Sequence, residues 1–114
     1  MDALEMTLLF DYYGELLTQR QQMCFDMYYN QDLSLTEIAQ ELKVSRQGVY
    51  DNLSRGEAAL RNMEEKTGCV RRSLQNRSVL REILQTAQEL AAHSDPVVRE
   101  LSGRIVAAAQ GLEE

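Results

Sequence analysis

The chain is poor in helix breakers: its 114 residues contain one proline and six glycines. So little interruption predicts long helices. It holds one histidine and two cysteines, Cys24 and Cys69. The cysteines have neither metal-ligand spacing nor redox-pair spacing, so they read as two reduced thiols of a cytoplasmic protein, and no metal site is expected. His93 stands alone, with no Cys or acid at ligand spacing. No stretch approaches the roughly 18 unbroken apolar residues of a spanning helix. The start, Met1-Asp2-Ala3-Leu4-Glu5, is acidic where a signal peptide is basic and then apolar. Neither membrane insertion nor export is expected. The chain also lacks a glycine-rich phosphate loop, a nucleophile with a base beside it, and a pair of placed carboxylates. A non-enzymatic protein without a cofactor is the expectation.

What is present is an uneven distribution of charge. Eighteen acids against 12 bases give a net charge of −6. Residues 1–33 hold six acids and one base, whereas residues 43–82 hold nine bases and five acids. A generic nucleic-acid binder is basic throughout. Any such role here rests on a local basic face, and the acidic ends weaken non-specific binding to phosphate.

The apolar 44% of the chain recurs at helical spacing. Leu4, Leu8, Leu9, Tyr12, Tyr13, Leu16 and Leu17 make one stripe. Thr18-Gln19-Arg20-Gln21 is a capping box, followed by an inner face of Gln21, Cys24, Phe25, Tyr28 and Tyr29. One tyrosine of each pair, Tyr12-Tyr13 and Tyr28-Tyr29, reads as core. Asn30-Gln31-Asp32 is a polar break, and Ser34-Leu35-Thr36-Glu37 is a second capping box. Ser45 starts a long helix to about Lys66, ended by Thr67-Gly68. A fifth helix is predicted over about Arg72 to Ala92, with Leu80, Ile83, Leu84, Ala87, Leu90 and Ala91 in phase. Asp95-Pro96 opens a sixth, with a stripe of Val98, Leu101, Ile105, Ala108 and Leu112. No segment alternates with period two for long enough to make a strand.

Residues Leu35 to Leu53 carry the functional signal. A short helix, a turn of three to four residues and a second helix define a helix-turn-helix. Ile38, Leu42, Val44 and Val49 supply one small core, and Ala39 is small where the second helix crosses. Lys43 occupies the turn position where a left-handed backbone is needed. A residue other than glycine costs roughly 1–2 kcal/mol there.

The segments Leu17-Thr18-Gln19-Arg20-Gln21, Leu33 through Ala39 and Val44 through Asn52 resemble region 4 of sigma-70-type factors. With Leu9-Phe10-Asp11-Tyr12-Tyr13-Gly14-Glu15-Leu16-Leu17 added, the chain is similar to the YlxM family of small bacterial proteins, specifically from about residue 8 to 68. The resemblance implies an all-α, sigma-70 region 4-like helix-turn-helix domain without a wing, extended by C-terminal helices. It also implies a DNA-binding regulatory protein linked to the signal recognition particle pathway. Lys43 and Gly48 stand where the family often has Gly and Ala.

In a helix-turn-helix the exposed start of the second helix meets base edges. Arg46 suits guanine and Gln47 suits adenine. Tyr50 suits a phosphate or a thymine methyl, and Ser54 lies on the same side. Asp51 repels phosphate and reads as a solvated carboxylate paired with Arg55 one turn on. Lys43, Arg55 and Arg61 are candidates for phosphate contacts, as are the N–H groups near Ser34 and Thr36. The alternative is a protein- or RNA-interaction module that docks on the particle's protein, receptor or RNA without reading DNA sequence. Residues 1–68 are expected to form the helix-turn-helix domain. Residues 69–114 are expected to form a helical extension whose uncovered apolar area suits a homodimer.

Overall fold

The computed structural model describes residues 3–112, so Met1, Asp2, Glu113 and Glu114 lie outside it. Among the described residues the secondary structure is entirely helical. The helices are α1 (Ala3–Tyr13), α2 (Gln19–Phe25), α3 (Leu35–Leu42), α4 (Arg46–Thr67), α5 (Cys69–Leu90) and α6 (Pro96–Gln110). The chain divides into two compact units, residues 1–70 and 71–114.

In the first unit, α1 buries Met6, Leu9 and Tyr13. The predicted stripe through Leu17 breaks at Gly14–Leu16, which winds as a tighter 3-10 turn. Leu16 is therefore not in the core as its place in the stripe suggested. It is 70% exposed, while Leu17 turns inward. Gly14 fits this turn because a Cβ there would lie 2.8 Å from the Phe10 ring.

Both capping boxes form. Thr18 Oγ1 accepts from Gln21 N at 3.2 Å, and Thr18 N donates to Gln21 Oε1 at 3.1 Å. Ser34 and Glu37 exchange the same two bonds at 3.1 Å each. Gln21 is thus half-buried and engaged in its cap rather than part of the core. Residues Asp26–Asn30 continue α2 as a π-helical turn. The Asp26 carboxylate accepts from Asn30 Nδ2 at 2.9 Å and Gln31 Nε2 at 2.8 Å. These bonds hold its pKa below the usual carboxylate value. The wider turn leaves Tyr28 exposed, against the expected inner face, and Tyr29 half-buried.

The core of this unit is centred on α4, which buries Val49, Leu53, Gly56 and Leu60. Phe25, Cys24, Ile38 and Met6 close around them with no exposure. The Phe25 ring stacks on Phe10 with centroids 5.4 Å apart and lies 5.3 Å from Tyr29. Gly56 leaves the space this ring occupies, since a Cβ there would sit 2.5 Å from Phe25 Cε2.

The end of α4 is a junction. Tyr13 hydroxyl donates to Glu64 Oε1 at 2.6 Å and lies 2.6 Å from Thr67 Oγ1. The same Glu64 oxygen accepts from Val70 N at 3.0 Å. Gly68 takes the left-handed conformation, with φ 62°. The next helix then begins at once, at Cys69 rather than near Arg72.

In the second unit, α5 buries Leu84 and Ala87 and half-buries Leu80. Asp95 caps α6 by accepting from Val97 N at 2.9 Å, with Pro96 at its first position. Val98 of α6 is covered as expected, but the stripe then continues through Ser102, Val106 and Ala109, one residue out of phase with the expected Leu101, Ile105 and Ala108. Leu101, Ile105, Ala108 and Leu112 are exposed, as are Ile83 and Leu90 of α5 and Ala91 just after it. On α6 the covered face thus includes Ser102 and Ala109, while Leu101, Ile105 and Leu112 point away from it. The Ser102 hydroxyl is satisfied by donating to Arg99 O at 2.9 Å.

Candidate nucleic-acid interface

The helix-turn-helix is built from α3, the turn Lys43–Ser45 and α4. Ile38 and Ala39 on α3 are buried, as is Val49 on α4, and Leu42 and Val44 pack against them. Lys43 adopts φ 57°, ψ 46°, the left-handed conformation its position requires. Val44 N donates to Ala39 O at 3.0 Å and closes the end of α3. Ser45 then caps α4, its Oγ accepting from Gly48 N at 2.9 Å.

This arrangement fixes which side of α4 is free. With Val49, Leu53, Gly56 and Leu60 turned inward, two adjacent rows face solvent. One is Arg46, Tyr50 and Ser54; the other is Gln47, Asp51 and Arg55. Lys43 is exposed in the turn, one residue before the cap. Ser34 and Thr36 are exposed at the opposite end of α3. With eight residues in α3, that end lies about 12 Å from the turn along the helix axis. The candidate residues on α4 and Lys43 therefore form one surface, and Ser34 and Thr36 lie apart from it at the far end of α3.

The geometry adds two details. Gln47 Nε2 donates to Asp51 Oδ1 at 2.9 Å. Asp51 is thus partnered by Gln47, not by Arg55 as the spacing suggested. One amide N–H and the Oε1 of Gln47 stay available for a base edge. The i,i+4 spacing of Gln47 and Asp51 was the signal for this bond, since such pairs meet on a helix. At the start of α3, Glu37 is drawn to Ser34 by the capping box. The Ser34 backbone N–H, then its hydroxyl, holds the Glu37 carboxyl below its usual pKa. A phosphate arriving there meets a carboxylate as well as N–H groups.

Away from this surface, two tyrosine-carboxylate bonds brace α4. Tyr29 hydroxyl donates to Glu57 Oε1 at 2.7 Å, and Tyr13 donates to Glu64 as described. Burial, and then the adjoining carboxylate, raises the pKa of both phenols. The charge of Arg61 acts on Tyr29 in the opposite sense. Sequence spacing carried no sign of either bond, because the partners are 28 and 51 residues apart.

A family model described as "Putative helix-turn-helix protein, YlxM / p13 like" matches residues 1–97. The chain belongs to this UPF0122 family. The UPF0122 protein of Acetivibrio thermocellus is 51% identical over 86 residues, 75% of this chain and 74% of that protein. One from Thermoanaerobacter sp. is 56% identical over 71 residues, 62% of this chain and 61% of its own length. One from Halalkalibacterium halodurans is 39% identical over 93 residues, 82% of this chain and 85% of its own length. The UPF0122 description is that of a helix-turn-helix protein and names no enzyme activity. No helix among the described residues is long and apolar enough to cross a membrane.

Proposed function

We propose that this chain is a cytoplasmic DNA-binding regulatory protein that reads duplex DNA through the exposed rows of α4, acting as a homodimer. The observation that carries the reading is the placement of Arg46, Gln47, Tyr50 and Ser54. They lie on the free side of a helix whose other side is locked onto α3. The start of α4 enters the major groove. Arg46 forks onto guanine O6 and N7. Gln47, with one N–H on Asp51, offers its other N–H to adenine N7 and its Oε1 to adenine N6. Tyr50 touches a phosphate or a thymine methyl. Lys43, Ser54 and Arg55, with the N–H groups near Ser34 and Thr36, contact phosphate. Asp51 limits approach to random duplex, so specificity depends on few contacts.

A second reading is a module that docks on protein or RNA of the signal recognition particle machinery. The twelve acids against six bases in residues 1–70 favour it.

Selection from a random duplex pool, followed by titration at about 50 and 200 mM salt, separates the two. A DNA reader gives an enriched site and a slope near −0.9 for each phosphate neutralised. Arg46→Ala is expected to weaken the selected site by about 1–3 kcal/mol without changing helicity. An unenriched pool with no salt-dependent binding would overturn the reading.

A further inference from the structure

The second unit buries little of its own apolar surface. Among its described residues the buried set is Leu84, Ala87, Ala109 and Ser102. Val79, Ile83, Leu90, Leu101 and Ile105 remain about half exposed. These large side chains border two shallow depressions that share Ile105. One, of about 440 Å³, is also lined by Glu82 and Thr86. The other runs along α6 past Leu101, Arg104 and Ala108.

We infer that this face of α5 and α6 is the surface on which a second copy of the chain docks. The inference rests on the pairing of copies in the proposed function and supplies its interface. Three observations single out a second copy.

The first is size. A unit of about 40 residues rarely stands alone without oligomerisation, disulfides or metal, and this one spans residues 71–114. The second is continuity. Val79, Ile83 and Leu90 line one depression, Leu101 lines the other, and Ile105 lines both, so the exposed apolar side chains form one patch rather than scattered single residues.

The third is charge. Residues 71–114 hold six acids and six bases. The unit therefore neither repels its own copy nor offers the basic excess that a phosphate backbone or an anionic lipid surface attracts. The apolar centre at Ile105 also has an acid lining one depression, Glu82, and a base lining the other, Arg104. A two-fold interface repeats each contact in reverse. The inferred interface has the two α6 helices antiparallel, with Glu82 of each copy facing Arg104 of the other.

Light scattering on the full chain over a micromolar range tests this. The expected mass is about 26 kDa, twice the 13.0 kDa chain. Ile105→Glu is expected to give a monomer with unchanged helicity, because the side chain is exposed and its loss leaves no cavity. Leu101→Arg, on the same face, is a second variant with the same expected outcome. Glu82→Arg and Arg104→Glu are each expected to weaken dimerisation at least tenfold, and the double swap to restore it. A full-length chain at 13.0 kDa throughout would overturn both the dimer and this interface. Parent and both face variants all dimeric would overturn this interface and leave the dimer standing. A double swap no tighter than the singles would overturn the antiparallel register. DNA titration of Ile105→Glu is read separately, so loss of the dimer is not mistaken for failure of the α4 reading.

Discussion

Replacing Gly56 by alanine tests whether α4 needs a gap at this point. In an ordinary helix interior the change stabilises by about 1 kcal/mol, because glycine gives up more backbone freedom on folding. At Gly56 the new Cβ would lie 2.5 Å from Phe25 Cε2 and 3.2 Å from Cδ2. Carbon atoms sit best about 3.5–4.0 Å apart, so the ring must retreat by about 1 Å. It has nowhere to go, being wholly buried between Phe10 and Tyr29. Overpacking of this kind costs about 1–3 kcal/mol. The net expectation for Gly56→Ala is a loss of up to about 2 kcal/mol. Gly48→Ala is the matched control in the same helix. Its Cβ would meet only the Ser45 hydroxyl, at 3.1 Å, so it is expected to be neutral or stabilising by about 0.5 kcal/mol. Urea unfolding followed by tyrosine emission measures both changes. All five tyrosines lie at positions 12 to 50 and there is no tryptophan, so the signal belongs to the first unit alone. Phe25→Leu removes the obstructing ring edge and is expected to relieve part of the Gly56→Ala penalty. That coupling should be about 0.5 kcal/mol or more in a double-mutant cycle. Equal stability of Gly56→Ala and Gly48→Ala, or a coupling near zero, would refute the reasoning.

Three further outcomes are expected. Lys43→Gly should stabilise the first unit by about 1 kcal/mol in the same urea assay, by relieving the left-handed backbone at φ 57°. Ile38→Ala should cost about 2–5 kcal/mol as a fully buried truncation; a loss below about 0.5 kcal/mol would be too small for a packed core position. Alkaline pH should destabilise the protein through Tyr13 and Tyr29. Their folded pKa values are raised above 10.0, so their contribution is complete below pH 10.0 and lost as pH rises through the folded values. Stability measured between about pH 9 and 12 should fall less steeply in Tyr13→Phe and Tyr29→Phe than in the parent.

Local chemistry was the legible part of this fold. Thr18 with Gln21, Ser34 with Glu37, Asp95 before Pro96, and Gly68 each set a helix end with residues a few positions apart. The free side of α4 was legible too, because burial of Val49, Leu53, Gly56 and Leu60 decides which residues face outward. What escaped was decided by geometry between distant residues or by shape. Leu16 left the core because the chain winds as a 3-10 turn over Gly14–Leu16, which breaks the α-helical stripe. In α6 the apolar pattern marked the large residues, whereas the covered face takes in Ser102 and Ala109. A hydrophobic stripe identifies what wants to be covered, not what the neighbouring helix covers.

The Glu64 carboxylate serves two clients at once, the hydroxyl that ends α1 and the N–H of Val70 at the start of α5. It joins residues that are 57 positions apart along the chain. Opening at either place removes a partner that helps hold Glu64 for the other, so the two ends should fray together. In native-state amide exchange, Glu64→Ala, which removes the shared acceptor, is expected to leave the middle of α4 protected while the Val70 amide and the last turn of α1 lose protection in parallel. One side chain thus makes the first helix of the chain a restraint on the start of the fifth.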